Sequence, residues 1–402
     1  MRRGTRPRNR RDLILAAAAD LFAKHGYAKV GMGDLADAVG IAPSALYRHF
    51  TGKQDVLAKV LAAGLAPLHE LVLGLNPTDR ATTDPATTDP ATTAARLASC
   101  ALDQRHLGLM WQREARELTP AAYVPLRDVI REIGGGLAGY VRSIRPGISD
   151  ASADLLAWSI LAVLTSPSFH HLDLPRPAYE ELLAGMVAAV IDTELPAPPV
   201  PAGQATAPRG PAVGVLRPAS RREELLIQAM RLFAARGYTR VGIEDIGSAV
   251  GISGPSVYNH WPAKLDLLIT ALRRGAAALA IEVATVYREA TDSADALHRL
   301  LRSYVALSHA QPEIFGLLIT DIDHLPADER HASRRAQHEH VSEWAHLLRL
   351  DQPNLDPVAA RIRAHAVLSV AHDTARTAHL HRDPAVAAAV IAICTRLLGL
   401  PK

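Results

Sequence analysis

Residues 10–57 of this 402-residue chain align without a gap to residues 221–268, at a constant offset of 211. Twenty-one of the 48 pairs are identical, among them Arg10/Arg221, Phe22/Phe233, Gly26/Gly237, Tyr27/Tyr238, Gly40/Gly251, Ile41/Ile252, Tyr47/Tyr258, His49/His260 and Lys53/Lys264. The offset is far longer than the period of a solenoid repeat, so the feature is the duplication of a whole domain. Any fold assigned to the first copy must therefore also suit the second.

Charge follows the repeat. Residues 1–60 hold eleven Lys/Arg against five Asp/Glu and residues 217–275 nine against five, while the rest is net −7, for a total of +3. Positive charge gathered in two separated segments is the footprint of a nucleic-acid-binding protein rather than of a general polycation. Cys100 and Cys394 stand alone in apolar helical contexts, as buried thiols in a reducing compartment would. No run approaching the ~18 apolar residues that cross a bilayer is expected, and the chain reads as cytoplasmic.

Apolar residues recur at helical spacing between Pro and Gly breaks, without period-two alternation, so the expected fold class is all-α. The expected organisation is a basic arm over 1–9, a first head over 10–60 and a first helical body over 61–195. A linker over 196–218 then precedes a second head over 219–270 and a second body over 271–400. The linker, PAPPVPAGQATAPRGPAVGVLRP, is too poor in large apolar residues to fold and is expected to be semi-extended. The TTDPA tract over 78–93 has no counterpart in the second body and reads as a solvated loop.

Within each head the pattern is that of a helix-turn-helix. Ile14, Leu15, Ala18, Leu21 and Phe22 share one helical face, repeated by Leu225, Leu226, Ala229, Leu232 and Phe233. A short second helix turns inward Met32, Leu35, Ala36 and Val39, or Ile243, Ile246, Gly247 and Val250. It closes on Gly40-Ile41 or Gly251-Ile252, where glycine permits the tight turn and isoleucine plugs the angle. The next helix, starting at Pro43 or Pro255, buries Leu46 and Phe50, or Val257 and Trp261. Its outward side carries Ser44 in one head, and Ser253 and Ser256 in the other, as small residues allowing close approach to base edges. Arg48 suits a two-pronged contact with guanine and Asn259 one with adenine. Tyr47, His49 and Lys53, with Tyr258, His260 and Lys264, are expected at phosphates. Thr51 and Gln54 are expected to cap the following helix, a place taken by Pro262 in the second head.

The runs GYAKVGMGDLADAVGIAPSALYRHFTGKQDVL and GYTRVGIEDIGSAVGISGPSVYNHWPAKLDLL resemble the DNA-binding domain of TetR-type regulators, with its Gly-Ile/Val turn, Tyr-x-His-Phe stretch and following Lys. The resemblance implies double-stranded DNA and a small-molecule effector as partners, no cofactor, and bodies that bind ligand and dimerise. It implies a repressor released by its ligand, although repressor and activator are not separable at this level. One departure is Val30-Gly31 and Val241-Gly242, where the family often has a phosphate-touching Thr. The arm with Arg2, Arg3, Arg6 and Arg8 offers other charge for a minor groove or backbone. Since duplication can replace dimerisation, the expectation is a single-chain pseudo-dimer with reading helices ~34 Å apart on unlike half-sites.

The remaining candidates point elsewhere or nowhere. His365, His372 and His379 are seven residues apart, too far along a helix to share a metal ion, and are expected at a surface or interface, as is the His170-His171 pair. No nucleophile elbow, phosphate-cradling loop or HExxH pattern is seen, and Gly134-Gly135-Gly136 falls within a helix, so neither a catalytic site nor a metal is expected. Trp111, Tyr140 and Trp158 in the first body and Tyr304, Phe315 and Trp344 in the second are candidates for lining an apolar effector pocket, against the plainer reading as core. A ligand-binding scaffold or an enzyme with relic heads is the competing class of answer.

Overall fold

The computed structural model describes residues 10–75, 89–196, 216–381, 383 and 385–401. These form helices and their connections, with no strand among the described residues. The chain divides into two compact units, Met1–Ile191 and Asp192–Lys402.

In the first unit the head comprises α1 (Arg10–His25), a 3-10 turn (Tyr27–Lys29), α2 (Met32–Ala38) and α3 (Pro43–Leu46). The long α4 (Lys53–Leu75) leads into a body of α5 (Pro90–Asp103), α6 (Leu107–Glu114), α7 (Pro120–Ile144), α8 (Asp150–Thr165) and α9 (Arg176–Ile191). In the second unit α10 (Arg221–Arg236), a 3-10 turn (Tyr238–Arg240), α11 (Ile243–Val250) and α12 (Gly254–Val257) form the head. The body follows as α13 (Lys264–Glu289), α14 (Ser293–Ala310), α15 (Pro312–Thr320), α16 (Ala327–Asp351), α17 (Pro357–Arg376), α18 (Ala378–His381) and α19 (Val386–Leu398).

The element order of the two heads is the same because the same apolar positions are buried. Ile14, Ala18, Phe22, Leu35, Leu46 and Phe50 are at most 2% exposed, as are Leu225, Ala229, Phe233, Ile246, Val257 and Trp261 at corresponding places. Burying each of the larger of these side chains contributes roughly 1.5–3 kcal/mol. In each unit the long helix, α4 or α13, belongs to both head and body: α4 packs on α1 and α7, and α13 packs on α10 and α16.

Three sequence expectations change. The TTDPA tract is not all loop: Asp89 caps α5 by accepting the N–H of Thr92 at 2.8 Å, Pro90 opens the helix, and Thr93 is buried. A capping Asp followed by Pro at the first helical position is a strong helix start, which the repeat's low complexity concealed. Positions 78–88 of that tract and 197–215 of the linker lie outside the described residues. Membrane-length apolarity is also present: Lys53–Leu75 and Asp150–Phe169 reach mean hydropathies of 1.7 and 1.2 over 18 residues. Scattered polar residues interrupt these runs, but the apolar residues around them keep the average at these values. Val56, Leu57 and Leu61 of the first, and Leu155, Leu156 and Ile160 of the second, are buried inside the unit. Lastly, the second reading helix starts at Gly254, the counterpart of Pro43, so Pro255 is one position further into its helix than Pro43.

Candidate nucleic-acid interface

The turn between α2 and α3 sets the direction of the reading face. Gly40 and Gly251 have φ of 65° and 81°, left-handed values that a side chain rarely tolerates. Beyond them the N–H of Ile41 bonds to the carbonyl of Ala36 at 3.0 Å, and that of Ile252 to Gly247 at 2.9 Å. Gly247 replaces alanine for a reason: a Cβ there would lie 2.8 Å from the Ile252 carbonyl oxygen. The second turn thus sits closer to its helix than the first.

With Leu46 and Phe50 turned inward, Pro43, Ser44, Tyr47, Arg48 and His49 all face solvent, and Tyr47 is 57% exposed. In the second head Ser253, Pro255, Tyr258 and Asn259 face outward, Tyr258 at 54%, while Ser256 and His260 are half-buried. The Ser253 and Ser256 hydroxyls bond to each other at 2.8 Å. Each reading helix is only four residues long before it loosens into a turn, so its side chains rather than its dipole supply the contact chemistry. Arg2, Arg3, Arg6 and Arg8 lie outside the described residues.

The lysines are placed differently from the phosphate role expected for them. Lys264 Nζ donates to the carbonyls of Tyr238 and Val241, each at 2.9 Å, and lies 4.1 Å from the centre of the Tyr238 ring. Lys53 Nζ lies 4.0 Å from the Tyr27 ring centre and 3.4 Å from the Ala28 carbonyl oxygen. Partial burial lowers both ammonium pKa values. These side chains close the 3-10 turn against the long helix, and their charge is directed into the head. Nor do Thr51 and Gln54 form the expected cap. The Asp55 carboxylate accepts the Thr51 N–H at 2.9 Å, and Gln54 Nε2 instead donates to the Glu117 carbonyl at 3.2 Å. Asp266, the counterpart of Asp55, accepts the Ala263 N–H at 3.0 Å. At the Val-Gly departures Asp34 and Asp245 accept the N–H of Gly31 and Gly242, each at 2.7 Å, so a carboxylate occupies both helix starts.

The two faces differ in charge. The Arg48 side chain is exposed and its guanidinium makes no hydrogen bond or ion pair with the described residues. In the second head Arg222 lies over Trp261, 3.6 Å from the ring centre, and donates to the His260 carbonyl. Trp261 Nε1 returns a bond to the Arg222 carbonyl at 3.1 Å. Phe50, lacking the indole N–H, makes no such clasp. A further feature escaped the sequence reading: the Glu244 carboxylate accepts the Gly254 N–H at 2.9 Å. A Cβ on residue 254 would overlap that carboxyl group. The first head has Gly33 and Pro43 at these places, with neither acid nor N–H. The pair of differences, Gly33/Glu244 and Pro43/Gly254, was the available signal.

The bodies rearrange the other candidates. His372 is half-buried and turned into the body rather than out to solvent. Its Nε2 meets the Tyr304 hydroxyl, its ring is 4.7 Å from Phe315, and burial holds its pKa down to about 3. His340, buried against Tyr304 at 5.4 Å, accepts from Trp344 Nε1 at 3.0 Å, and burial lowers its pKa to about 4. His365 is likewise desolvated, to about 4, whereas His379 is exposed beyond the end of α17. Helical stripes are buried or exposed according to the neighbours packed on them, which spacing alone does not reveal. His170 is buried too, in a loop tied down by Arg105 through the Pro167 and His170 carbonyls, both at 3.1 Å; His171 is exposed.

Tyr304 and Trp344 therefore form packed core and do not line the cavity, whereas Phe315 does line one of about 250 Å3. In the first body Tyr140 is fully buried, Trp111 stacks on Tyr123 at 5.5 Å, and Trp158 packs over Gly134. Cys394 is buried and Cys100 partly so, both as free thiols.

Two outward-facing reading helices, each braced by an inward triangle of helices, define a helix-turn-helix protein of the DNA-binding type. Residues 14–60 and 225–271 each match the family model described as bacterial regulatory proteins, tetR family. The chain thus carries the DNA-binding domain of the tetR family of bacterial regulatory proteins twice, in tandem. It is similar to the transcriptional activator FasR of Mycolicibacterium smegmatis, 26% identical over 156 residues, or 39% of this chain and 71% of that protein. The repressor KstR2 of the same organism is 39% identical over 57 residues, covering 14% of this chain and 28% of that protein. A solved TetR-family regulator from Bordetella parapertussis superposes with a TM-score of 0.43 at 17% identity, covering 46% of this chain and 96% of that one.

Proposed function

We propose that the chain is a single-chain pseudo-dimer that binds one operator with two unlike half-sites and is released from it by a small apolar ligand. It acts in the cytoplasm, most simply as a repressor, and uses no cofactor. The observation that carries this reading is the pair of equivalent but chemically different reading faces: Arg48 stands outward in one and Asn259 in the other. The first suits guanine and the second adenine. Pro43, Ser44, Tyr47 and His49, with Ser253, Pro255, Ser256, Tyr258 and His260, are assigned to DNA beside them, and residues 1–9 to the neighbouring groove. The bodies over 61–195 and 271–400 take the place of the two partners in a symmetric dimer. A regulator named as an activator and another named as a repressor are both among the relatives, so the direction of control is read from the regulated promoter.

The test is selection of sites from a randomised DNA pool by the full chain across a salt series, with stoichiometry measured alongside. One chain on an asymmetric site, with affinity falling steeply in salt, is the expected result. Two chains on a strict palindrome would sink the pseudo-dimer.

A further inference from the structure

The cavity in the second unit lies where the head meets the body, among α10, α13, α14 and α15. Ile227, Met230, Leu307 and Phe315 give it an apolar wall. Three polar side chains, Glu223, Arg274 and Gln311, complete the lining. Glu223 belongs to the first turn of the head, and Arg274 to the long helix shared with the body. They form a two-pronged ion pair, at 2.5 and 2.9 Å, and are the only opposite charges among the cavity's lining residues. Gly275 permits the close approach of α15 beside it, since a Cβ there would collide with Ile314.

We infer that this cavity is a binding site for one small apolar monocarboxylate, which replaces Glu223 as the partner of Arg274. A planar guanidinium already engaged by a carboxylate in two-pronged geometry can accept another of the same shape, while the apolar wall receives the hydrocarbon part. A volume of about 250 Å3 is below that of a drug-sized pocket. Scaling from a cavity of ~150 Å3 that holds benzene, it suits a molecule of roughly ten non-hydrogen atoms. The exchange strands no buried charge, because the Glu223 side chain is 35% exposed and returns to water. Its consequence is to untie the first helix of the second head from α13, and this consequence rests on the proposed reading of the chain as a ligand-released regulator.

The site belongs to one unit only. At the same offset of 211, Ala63 stands in place of Arg274, Asp12 in place of Glu223, and Ala16 and Ala19 in place of Ile227 and Met230. One ligand per chain is therefore expected, acting through the second head.

Calorimetric titration of the DNA-free full chain with octanoate, and with octan-1-ol as its neutral analogue, tests the assignment. One octanoate should bind per chain. Arg274→Met should weaken octanoate at least tenfold and change octan-1-ol less than twofold, whereas Glu223→Gln, which removes the competing carboxylate, should tighten octanoate several-fold. Ala278→Leu, which fills the cavity without touching the ion pair, should lose both ligands. Opposite responses of the two ion-pair variants cannot come from a merely structural pair. Absence of octanoate binding, two sites per chain, or equal affinity in the wild type and Arg274→Met would overturn the inference. Because DNA is absent, those outcomes leave the regulator reading standing, and a failed DNA selection leaves this site standing.

Discussion

The two heads bury the same positions but spend their polar groups differently. In the second head Arg222 is stacked on Trp261, Lys264 binds two carbonyls, Glu244 holds the start of the reading helix, and the turn is drawn in against Gly247. In the first head Phe50 offers no N–H, Lys53 makes one long bond, and Arg48 is left to solvent. The second head is thus internally better tied and presents a neutral-to-acidic reading face, whereas the first is more loosely tied and presents a cation. A duplicated domain can divide labour in this way because a side chain used inside the head is not available to DNA.

Acid gives the largest expected effect, because the second body holds buried and half-buried histidines whose pKa values are lowered by desolvation. His340 and His372 remain neutral in the folded second unit until about pH 4 and 3, while an unfolded histidine takes its proton near pH 6.5. The unfolded state binds more protons between these values, so their contribution is present in full above pH 6.5 and is lost as the pH falls. From pH 6.5 to 5 these two histidines should cost the second unit on the order of 3 kcal/mol, about half from each, and His365, lowered by the same cause, adds to the loss in the same direction. Denaturant unfolding followed separately in the two units should show the transition of the second unit moving to lower denaturant relative to that of the first. Transitions that keep their spacing down to pH 5 would break this part of the comparison.

Loss of the exposed cation comes next. Arg48→Ala should cost about 1–3 kcal/mol, or roughly 5- to 150-fold in affinity, and relax selection at one base of one half-site. Asn259→Ala should act only on the other half-site. Equal loss of selection at both half-sites from either variant would mean that the heads are used interchangeably.

The lysines sharpen the internal side of the contrast. Lys264→Met should destabilise the second head by about 2 kcal/mol, because two carbonyls lose a charged donor, and Lys53→Met should cost the first head clearly less. Neither should change the slope of DNA affinity against salt. A slope reduced by about one unit would return the lysine to a phosphate.

The smallest effect concerns the acid at the second reading helix. Glu244→Gln should strengthen binding to the half-site of the second head by about 1 kcal/mol or less, and Gly33→Glu should weaken the first by a similar amount. Quantitative binding to the two half-sites placed separately on long duplexes measures both. If Glu244→Gln instead abolishes selection at one base pair, the carboxylate is reading a cytosine.

Much of this molecule was legible in its sequence. The 211-residue repeat, the inward pattern of Ile14, Phe22, Leu35, Leu46 and Phe50, and the Gly40-Ile41 turn determined two helix-turn-helix heads and the direction in which Tyr47 and Arg48 point. Helical periodicity and a glycine with positive φ are local properties, set within a few residues of each other, and so they survive reading one residue at a time. What the tertiary structure alone decided is which polar groups are already taken. Lys53 and Lys264 resemble phosphate ligands until the carbonyls of the 3-10 turns come within reach, and His372 resembles a surface residue until Tyr304 and Phe315 close over it. Glu244 meets Gly254 from another helix, and Glu223 meets Arg274 across 51 residues. Such pairings depend on how whole helices are placed, and desolvation and hydrogen bonding act over a few ångströms in space rather than along the chain.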